Sequence, residues 1–174
     1  MTVSETNDSI RITGVCGSLS ADGVTKKALA IALKGASEYN AETALLELRV
    51  FNLVFYGSVP QDEYPPDVIQ LRQALKDSQG IILATPEYHG SLTGALNSLN
   101  TMKTICRNLH CWVLPQEVSI TNSAQTFNDD GTVKDPEIAE RLLNVGRQLV
   151  KFASVQQRVQ QDEFMKMWKS LPTW

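Results

Sequence analysis

The chain has 174 residues, which suits one domain and leaves little room for two. Its net charge of −3 and its pI near 5.4 argue against a nucleic-acid-binding protein, which would carry a basic stripe. No apolar run approaches the ~18 residues that a membrane helix needs, and the polar N-terminus lacks the features of a signal peptide. We therefore expect a cytoplasmic protein that binds neither nucleic acid nor membrane.

Strand-like and helix-like patterns alternate along the chain. They predict strands at residues 10–16, 43–48, 80–85 and 110–114, and helices at residues 24–39, from 67 onward, at 94–109 and from 136 onward. The run at 80–85 is wholly apolar, as in a strand covered on both faces of a parallel sheet. This order predicts an α/β fold in which helices enclose a parallel sheet and ligands bind at the carboxyl ends of the strands.

We expect one domain at residues 10–158, between a disordered N-terminus at 1–9 and a C-terminal tail at 159–174. Cys16, Cys106 and Cys111 have no spacing typical of a disulfide framework or a metal site. Cys106 and Cys111 would lie on different faces of a continuous helix. The preferred interpretation of all three is that they are small, buried, reduced residues. His110 begins the predicted last strand and is interpreted as structural.

The loop after the first predicted strand is rich in hydroxyl groups and contains Gly17 and Gly23. A helix N-terminus attracts anions, and Ser18, Ser20 and Thr25 could add hydroxyl donors without a formal positive charge. This pattern suits a phosphomonoester, but it matches neither a Walker loop nor a dinucleotide fingerprint. The alternative is a helix start whose amides are satisfied by a Ser or Thr cap, with no ligand. The loop alone does not decide between the two.

The loop after the third strand reads Pro86, Glu87, Tyr88, His89, Gly90 and Ser91. Together with the first loop it resembles the NADPH-dependent FMN reductase family, which has the flavodoxin-like fold and includes quinone, chromate and azo-dye reductases. The runs at residues 112–115 and 128–131 also resemble one branch of this family. The resemblance spans residues 10–150.

The resemblance implies a three-layer flavodoxin-like sandwich with FMN as cofactor and NAD(P)H as cosubstrate. It implies that Ser18, Ser20 and Thr25 hold the FMN phosphate, and that the residues from Pro86 to Ser91 contact the isoalloxazine ring: Pro86, Glu87, Tyr88, His89, Gly90 and Ser91. No metal and no catalytic side chain are expected, because the cofactor itself carries the hydride chemistry. His89 is accordingly interpreted as a residue at the rim of the pocket.

The sequence departs from the family pattern near Ser98 and Leu99. One central strand and its loop are missing there, about 25 to 30 residues when flanking loops are included. Three explanations are open: a true deletion that leaves one helix before the last strand of a four-stranded sheet, a segment of the molecule that the printed sequence omits, or an artificial shortening. The second is preferred because it requires no new fold, and an intact mass near 19.3 kDa would exclude it.

The function expected from the resemblance is reduction of small acceptors by NAD(P)H through FMN, with ping-pong kinetics. A flavodoxin-type electron carrier and, if the deletion is real, a flavin-free scaffold protein are the alternatives. The family resemblance also implies a homodimer or homotetramer. The apolar run at residues 51–56 could supply the contact surface, or it could be a buried extension of the second strand.

Overall fold

A computed structural model describes residues 9–86, 95–120 and 123–161. The strands are β1 (Arg11–Cys16), β2 (Glu42–Glu47) and β3 (Gly80–Ala84). The helices are α1 (Val24–Ser37), α2 (Pro66–Lys76), α3 (Ala95–Asn108), the short α4 (Ser123–Thr126) and α5 (Pro136–Gln161). Single turns of 3₁₀ helix at Leu48–Val50 and Gln61–Glu63 lie between β2 and α2.

The three strands form one parallel sheet in the order β2-β1-β3. In the register, Gly14 of β1 lies between Leu45 of β2 and Ile82 of β3. The central position of β1 explains why five of its six residues are buried, while β2 is only half-buried. Parallel α/β architecture of the flavodoxin-like kind is therefore confirmed, and the carboxyl ends of all three strands meet at one edge.

Helices α1 and α5 cover one face of the sheet. Gly14 leaves room for the side chains of Leu29 and Leu33 on α1, and Gly80 leaves room for Leu149 on α5. Periodic apolar residues on both helices, among them Leu29, Leu33 and Val150, complete this core. The core sits directly beneath the strand that leads into the hydroxyl-rich loop.

The opposite face of β3 is less covered than its apolar sequence predicts. Ile81 and Leu83 point to that face and are each 40% exposed, whereas Thr13 and Val15 beside them on β1 are buried. Within the described residues, β3 pairs with β1 alone. The prediction of a strand buried on both faces is thus wrong for this face, because an apolar run cannot reveal which neighbours are present.

The predicted strand at residues 110–114 is also wrong. These residues follow α3 as irregular chain, His110 is exposed with φ of 59°, and Trp112 is 79% exposed. A strand needs a hydrogen-bonding edge, and no described strand lies alongside this segment. The explanation by a true deletion expected a four-stranded sheet, whereas the described sheet has three strands.

The junction at Ser98 and Leu99 lies inside α3, which runs unbroken from Ala95 to Asn108. One continuous helix therefore follows the loop after β3, as the deletion explanation expects for this part of the chain. α5 continues to Gln161, past the start of the predicted tail. Residues 1–8 and 162–174 lie outside the described residues. None of the described helices combines the length and apolarity needed to span a bilayer.

Candidate cofactor site

The start of α1 lacks a side-chain cap. Gly23 is the N-cap residue, with extended backbone angles of −66° and 148°, and no side chain of the described residues caps this helix start. Without such a cap, the first amide N–H groups of the helix stay available to an anion. The capped-helix alternative, in which Ser or Thr satisfies these amides, therefore does not describe this loop.

Ser18 is buried within the loop, with 4% of its surface exposed. Its Oγ accepts a hydrogen bond from the backbone N–H of Ser20 at 3.2 Å. Within the described residues, the hydroxyl proton of Ser18 has no acceptor of its own. A buried donor without an acceptor costs free energy, so this proton favours a ligand oxygen beside it.

Two glycines allow the close packing of this loop. A Cβ on Gly23 would lie 3.0 Å from Ser18 Oγ and 3.1 Å from Ser20 Cβ, and one on Gly17 would lie 3.3 Å from the Ala84 carbonyl oxygen. Larger residues at either position would displace the serine hydroxyl or push the two strand ends apart. The role of these two glycines was not predicted from the sequence; the signal that could have revealed it is their place at either end of the serine-containing loop.

The cations near the loop already have acidic partners. Lys26 Nζ lies 2.9 Å from Glu47 Oε1, and Arg49 Nε lies 2.8 Å from Glu47 Oε2. Hydrogen bonds from Lys26 and then Arg49 lower the pKa of the Glu47 carboxyl below its usual value. An anion in this loop would thus meet amides and hydroxyls first, as the sequence pattern predicts for a phosphomonoester.

The turn at residues 128–131 lies beside the first turn of α1. Its backbone closes through a hydrogen bond from Gly131 N–H to the Asn128 carbonyl at 3.0 Å, with φ of 85° at Gly131. A Cβ on Gly131 would lie 3.8 Å from the Lys27 side chain. Hydrogen bonds from Thr132, with a smaller contribution from Lys27, lower the pKa of Asp130. This turn therefore supplies a negative charge next to Lys27.

A backbone hydrogen bond joins the starts of the two predicted loops. The backbone N–H of Gly17 donates to the carbonyl oxygen of Ala84 at 2.8 Å, across the carboxyl ends of β1 and β3. Pro86 is half-buried next to this bond, and the Thr85 hydroxyl donates to the Pro86 carbonyl at 3.2 Å. A ligand at the first loop would therefore extend toward the second.

The predicted site residues divide into two groups. Ser18, Ser20 and Thr25 are described and belong to one loop: Ser18 is buried, Ser20 is exposed and Thr25 is half-buried in the first turn of α1. Pro86 begins the second loop. The remaining predicted residues lie outside the described part of the chain: Glu87, Tyr88, His89, Gly90 and Ser91. Their proposed contacts to the ring stay predictions.

The sequence was compared with protein-family models, and the model for NADPH-dependent FMN reductase matches residues 10–100, just over half of the chain. The chain belongs to the NADPH-dependent FMN reductase family. The matched residues include both loops. Membership confirms the predicted enzyme class, an oxidoreductase with FMN as cofactor and NAD(P)H as cosubstrate.

Curated relatives and a solved structure agree with this membership. The chain is 23% identical to the NADPH-dependent FMN reductase ArsH of Shigella flexneri, covering 84% of this chain and 69% of that protein. It is 24% identical to ArsH of Acidithiobacillus ferrooxidans, covering 61% of this chain and 60% of that protein. FerB, a flavoenzyme NAD(P)H:(acceptor) oxidoreductase from Paracoccus denitrificans, superposes with a TM-score of 0.63 at 18% identity, over 83% of this chain and 97% of FerB. The superposition supports the fold.

The alignments with both curated relatives contain more positions than this chain contributes to them. The alignment with the Shigella protein spans 180 positions, but 84% of the 174 residues is only about 146 residues. About 34 positions of this alignment, summed over its whole length, therefore have no counterpart in this chain. The second alignment leaves a similar excess, since 61% of this chain is about 106 residues in 143 positions.

Proposed function

We propose that this protein is an FMN-dependent NAD(P)H oxidoreductase that reduces small acceptors such as quinones, free flavins, metal oxyanions or azo compounds. The uncapped start of α1 beside the buried Ser18 hydroxyl is the observation that carries the proposal. It offers amide and hydroxyl donors where the family holds a phosphate. Family membership supplies the redox chemistry that such an anion site alone would not indicate.

Each described residue has a defined part in this site. The hydroxyls of Ser18, Ser20 and Thr25 and the first amides of α1 would hold the FMN phosphate, while Gly23 keeps the chain close to it. The bond from Gly17 to Ala84 fixes the spacing between the phosphate loop and the loop that begins at Pro86. When bound, FMN supplies the hydride-accepting and electron-donating ring. The protein contributes position and a polar surrounding for that ring.

NAD(P)H and the acceptor would occupy the same open position over the ring in turn, which gives ping-pong kinetics. Parallel double-reciprocal plots at several fixed NADPH concentrations are the expected pattern. Intersecting plots would mean that both substrates bind together and would contradict the shared position.

An absorption spectrum of the purified protein mixed with FMN, recorded without oxygen, tests the function itself. We expect a bound-flavin band that NADPH bleaches and that a quinone restores. A bound band that NADPH does not bleach would indicate a flavodoxin-type electron carrier. No bound band, and no rise in melting temperature with FMN, would indicate a flavin-free scaffold, the alternative that the missing segment favours.

We further propose that the protein is cytoplasmic and forms a homodimer or homotetramer through residues 51–56. This segment is irregular chain after Leu48–Val50, which argues against a buried extension of β2. Phe55 and Tyr56 are 90% and 96% exposed. Large apolar side chains exposed side by side are typical of contact surfaces.

The three free cysteines suit a reducing compartment, which supports the proposed cytoplasmic location.

A further inference from the structure

Helix α3 ends in a chain reversal that brings two cysteines together. The backbone N–H of Cys111 donates to the carbonyl of Cys106 at 3.0 Å, and that of His110 donates to the carbonyl of Arg107 at 2.9 Å. His110 has the left-handed backbone conformation, with φ of 59°. This pair of bonds defines a Schellman motif, in which the side chains of the two outer residues lie close together. Here those residues are Cys106 and Cys111.

The hydrogen bond limits how far apart the two cysteines can be. The Cys106 Cα lies about 2.4 Å from its own carbonyl oxygen, and the Cys111 nitrogen lies about 1.5 Å from its own Cα. With the 3.0 Å bond between them, the Cα atoms are at most about 6.9 Å apart, and less because these links are not collinear. Disulfides usually join Cα atoms about 4.4–6.8 Å apart. The backbone therefore holds the pair within bonding range.

The two thiols differ in environment, and both are free. Cys106 is half-buried; burial raises the pKa of its thiol, and the nearby Cys111 raises it further. The hydrogen bond from Cys111 N–H to the Cys106 carbonyl places the two residues side by side at this turn. Cys111 is exposed. An oxidant from solution would thus meet Cys111 first, with Cys106 placed behind it.

We propose that Cys106 and Cys111 form a reversible intrachain disulfide when the protein meets a hydroperoxide. The Cys111 thiolate attacks the peroxide, which gives a sulfenic acid and releases hydroxide, or an alcoholate from an organic peroxide. The Cys106 sulfur then attacks the sulfenic sulfur, so that an S–S bond forms and water leaves. Two thiols are oxidised and one peroxide is reduced. An external dithiol returns the pair to its reduced state.

The position of the pair connects it to the rest of the fold. The residue after Cys111 is Trp112, whose ring packs against Phe152 of α5 with centroids 6.1 Å apart. A bond between Cys106 and Cys111 would fasten the end of α3 to the segment that carries this contact. Cys16 lies buried in β1 and takes no part. It provides a matched control within the same chain.

Intact-mass measurement of the full chain, reduced and then treated with one equivalent of hydrogen peroxide, tests the proposal. We expect a loss of about 2 Da, the two hydrogens of one disulfide, and full reversal by dithiothreitol. Cys16→Ala should behave in the same way. Cys106→Ser should instead gain about 16 Da as the sulfenic acid of Cys111, which dimedone traps.

Two results would overturn the disulfide. One is a wild-type chain that gains oxygen or forms intermolecular dimers instead of losing about 2 Da. The other is a mass loss of about 2 Da that still occurs in the Cys106→Ser variant. If Cys106→Ser fails to fold, the wild-type mass together with mapping of the linked peptides decides the outcome. The measurement needs neither flavin nor activity, so its result does not depend on the proposed function.

Discussion

The hydroxyl of Ser18 is buried, and among the residues that the structure describes its proton has no acceptor. Exposed serines in loops satisfy both their donor and their acceptor with water, but Ser18 is 4% exposed and its oxygen is taken by Ser20 N–H. A bound phosphate would accept a hydrogen bond from the Ser18 hydroxyl and further hydrogen bonds from the first amide N–H groups of α1. Single-residue changes here should therefore affect flavin affinity more than folding.

Ser18→Ala should weaken FMN binding by about 10- to 100-fold, since a hydrogen bond to a charged group contributes about 1.5–3 kcal/mol. Quenching of FMN fluorescence on titration measures this directly. Ser37→Ala is the matched control, because the Ser37 hydroxyl donates to the Lys34 carbonyl at the far end of α1. Equal affinities for the wild type and Ser18→Ala would remove Ser18 from the phosphate site.

At the scale of elements, α1 and α5 pack closely because each has a glycine where they meet. A Cβ on Gly35 would overlap the Leu143 carbonyl, and one on Gly146 would overlap the Ala32 carbonyl. Both contacts are backbone atoms, which cannot rotate away as a side chain would. The two helices therefore cover the sheet as one layer only while both positions stay glycine.

Gly146→Ala should lower the free energy of unfolding by about 3 kcal/mol, because the added methyl group forces the helices apart. Urea denaturation followed by circular dichroism measures the change. Ala30→Ser, on the exposed face of α1, should change it by less than about 0.5 kcal/mol. A Gly146→Ala protein as stable as the wild type would contradict the close packing.

An ion pair also joins these helices. Arg147 on α5 lies 2.5 Å from Glu38 Oε2 at the end of α1 and also contacts Glu140. The hydrogen bond from Arg147 holds the pKa of the Glu38 carboxyl below its usual value; burial opposes this effect, while the charges of Arg147 and Lys34 add to it. A carboxyl group whose pKa is lowered by folding stabilises the fold at pH values above its pKa in the unfolded chain. This stabilisation is lost as the pH falls through the lowered pKa of the folded protein.

Glu38→Gln should therefore reduce the urea midpoint at pH 7, and the difference from the wild type should disappear as the pH falls below about 4. The effect will be small, since the pair is exposed to solvent. Urea midpoints at several pH values test this, with Glu63→Gln in a 3₁₀ turn far from Arg147 along the chain as control. A difference that persists at low pH would assign the effect of the substitution to packing instead of charge.

At the scale of the whole molecule, two surfaces could carry self-association. One is the segment at residues 51–56, with Phe55 and Tyr56 exposed; the other is the partly exposed face of β3 with Ile81 and Leu83. The first presents larger side chains, and these are almost fully exposed. We therefore propose residues 51–56 for the subunit contact.

Phe55→Asp should convert the oligomer to monomers at a protein concentration where the wild type remains associated. Light scattering coupled to size-exclusion chromatography measures the mass. Leu83→Lys introduces a charge on the other surface and should leave the oligomer intact. Dissociation by Leu83→Lys alone would move the contact to β3, and a wild-type monomer would refute the oligomer itself.

Local features of the sequence were enough to predict much of this protein. Short-range rules locate β1, α1, α2 and α5, because apolar periodicity and the residues that start or end helices act within a few positions. The hydroxyls and glycines of the first loop likewise predicted its donors. The resemblance to the family then followed from two loops in the expected order, and the family model confirmed it.

Other features of the fold could not be predicted from the residues that form them. Residues 110–114 have the composition of a strand, but a strand needs an adjacent edge, and the segment turns away after His110. The same reversal brings together Cys106 and Cys111, which a continuous helix would separate. The exposure of Ile81 and Leu83 also depends on what covers the sheet. The sequence by itself determined most of the elements and the donors of the first loop, because both depend on residues a few positions apart. Only the structure decided how far β3 is covered and whether residues 110–114 find a strand edge, because these depend on contacts between residues distant in the chain, and it showed the local reversal at His110 that brings Cys106 and Cys111 together.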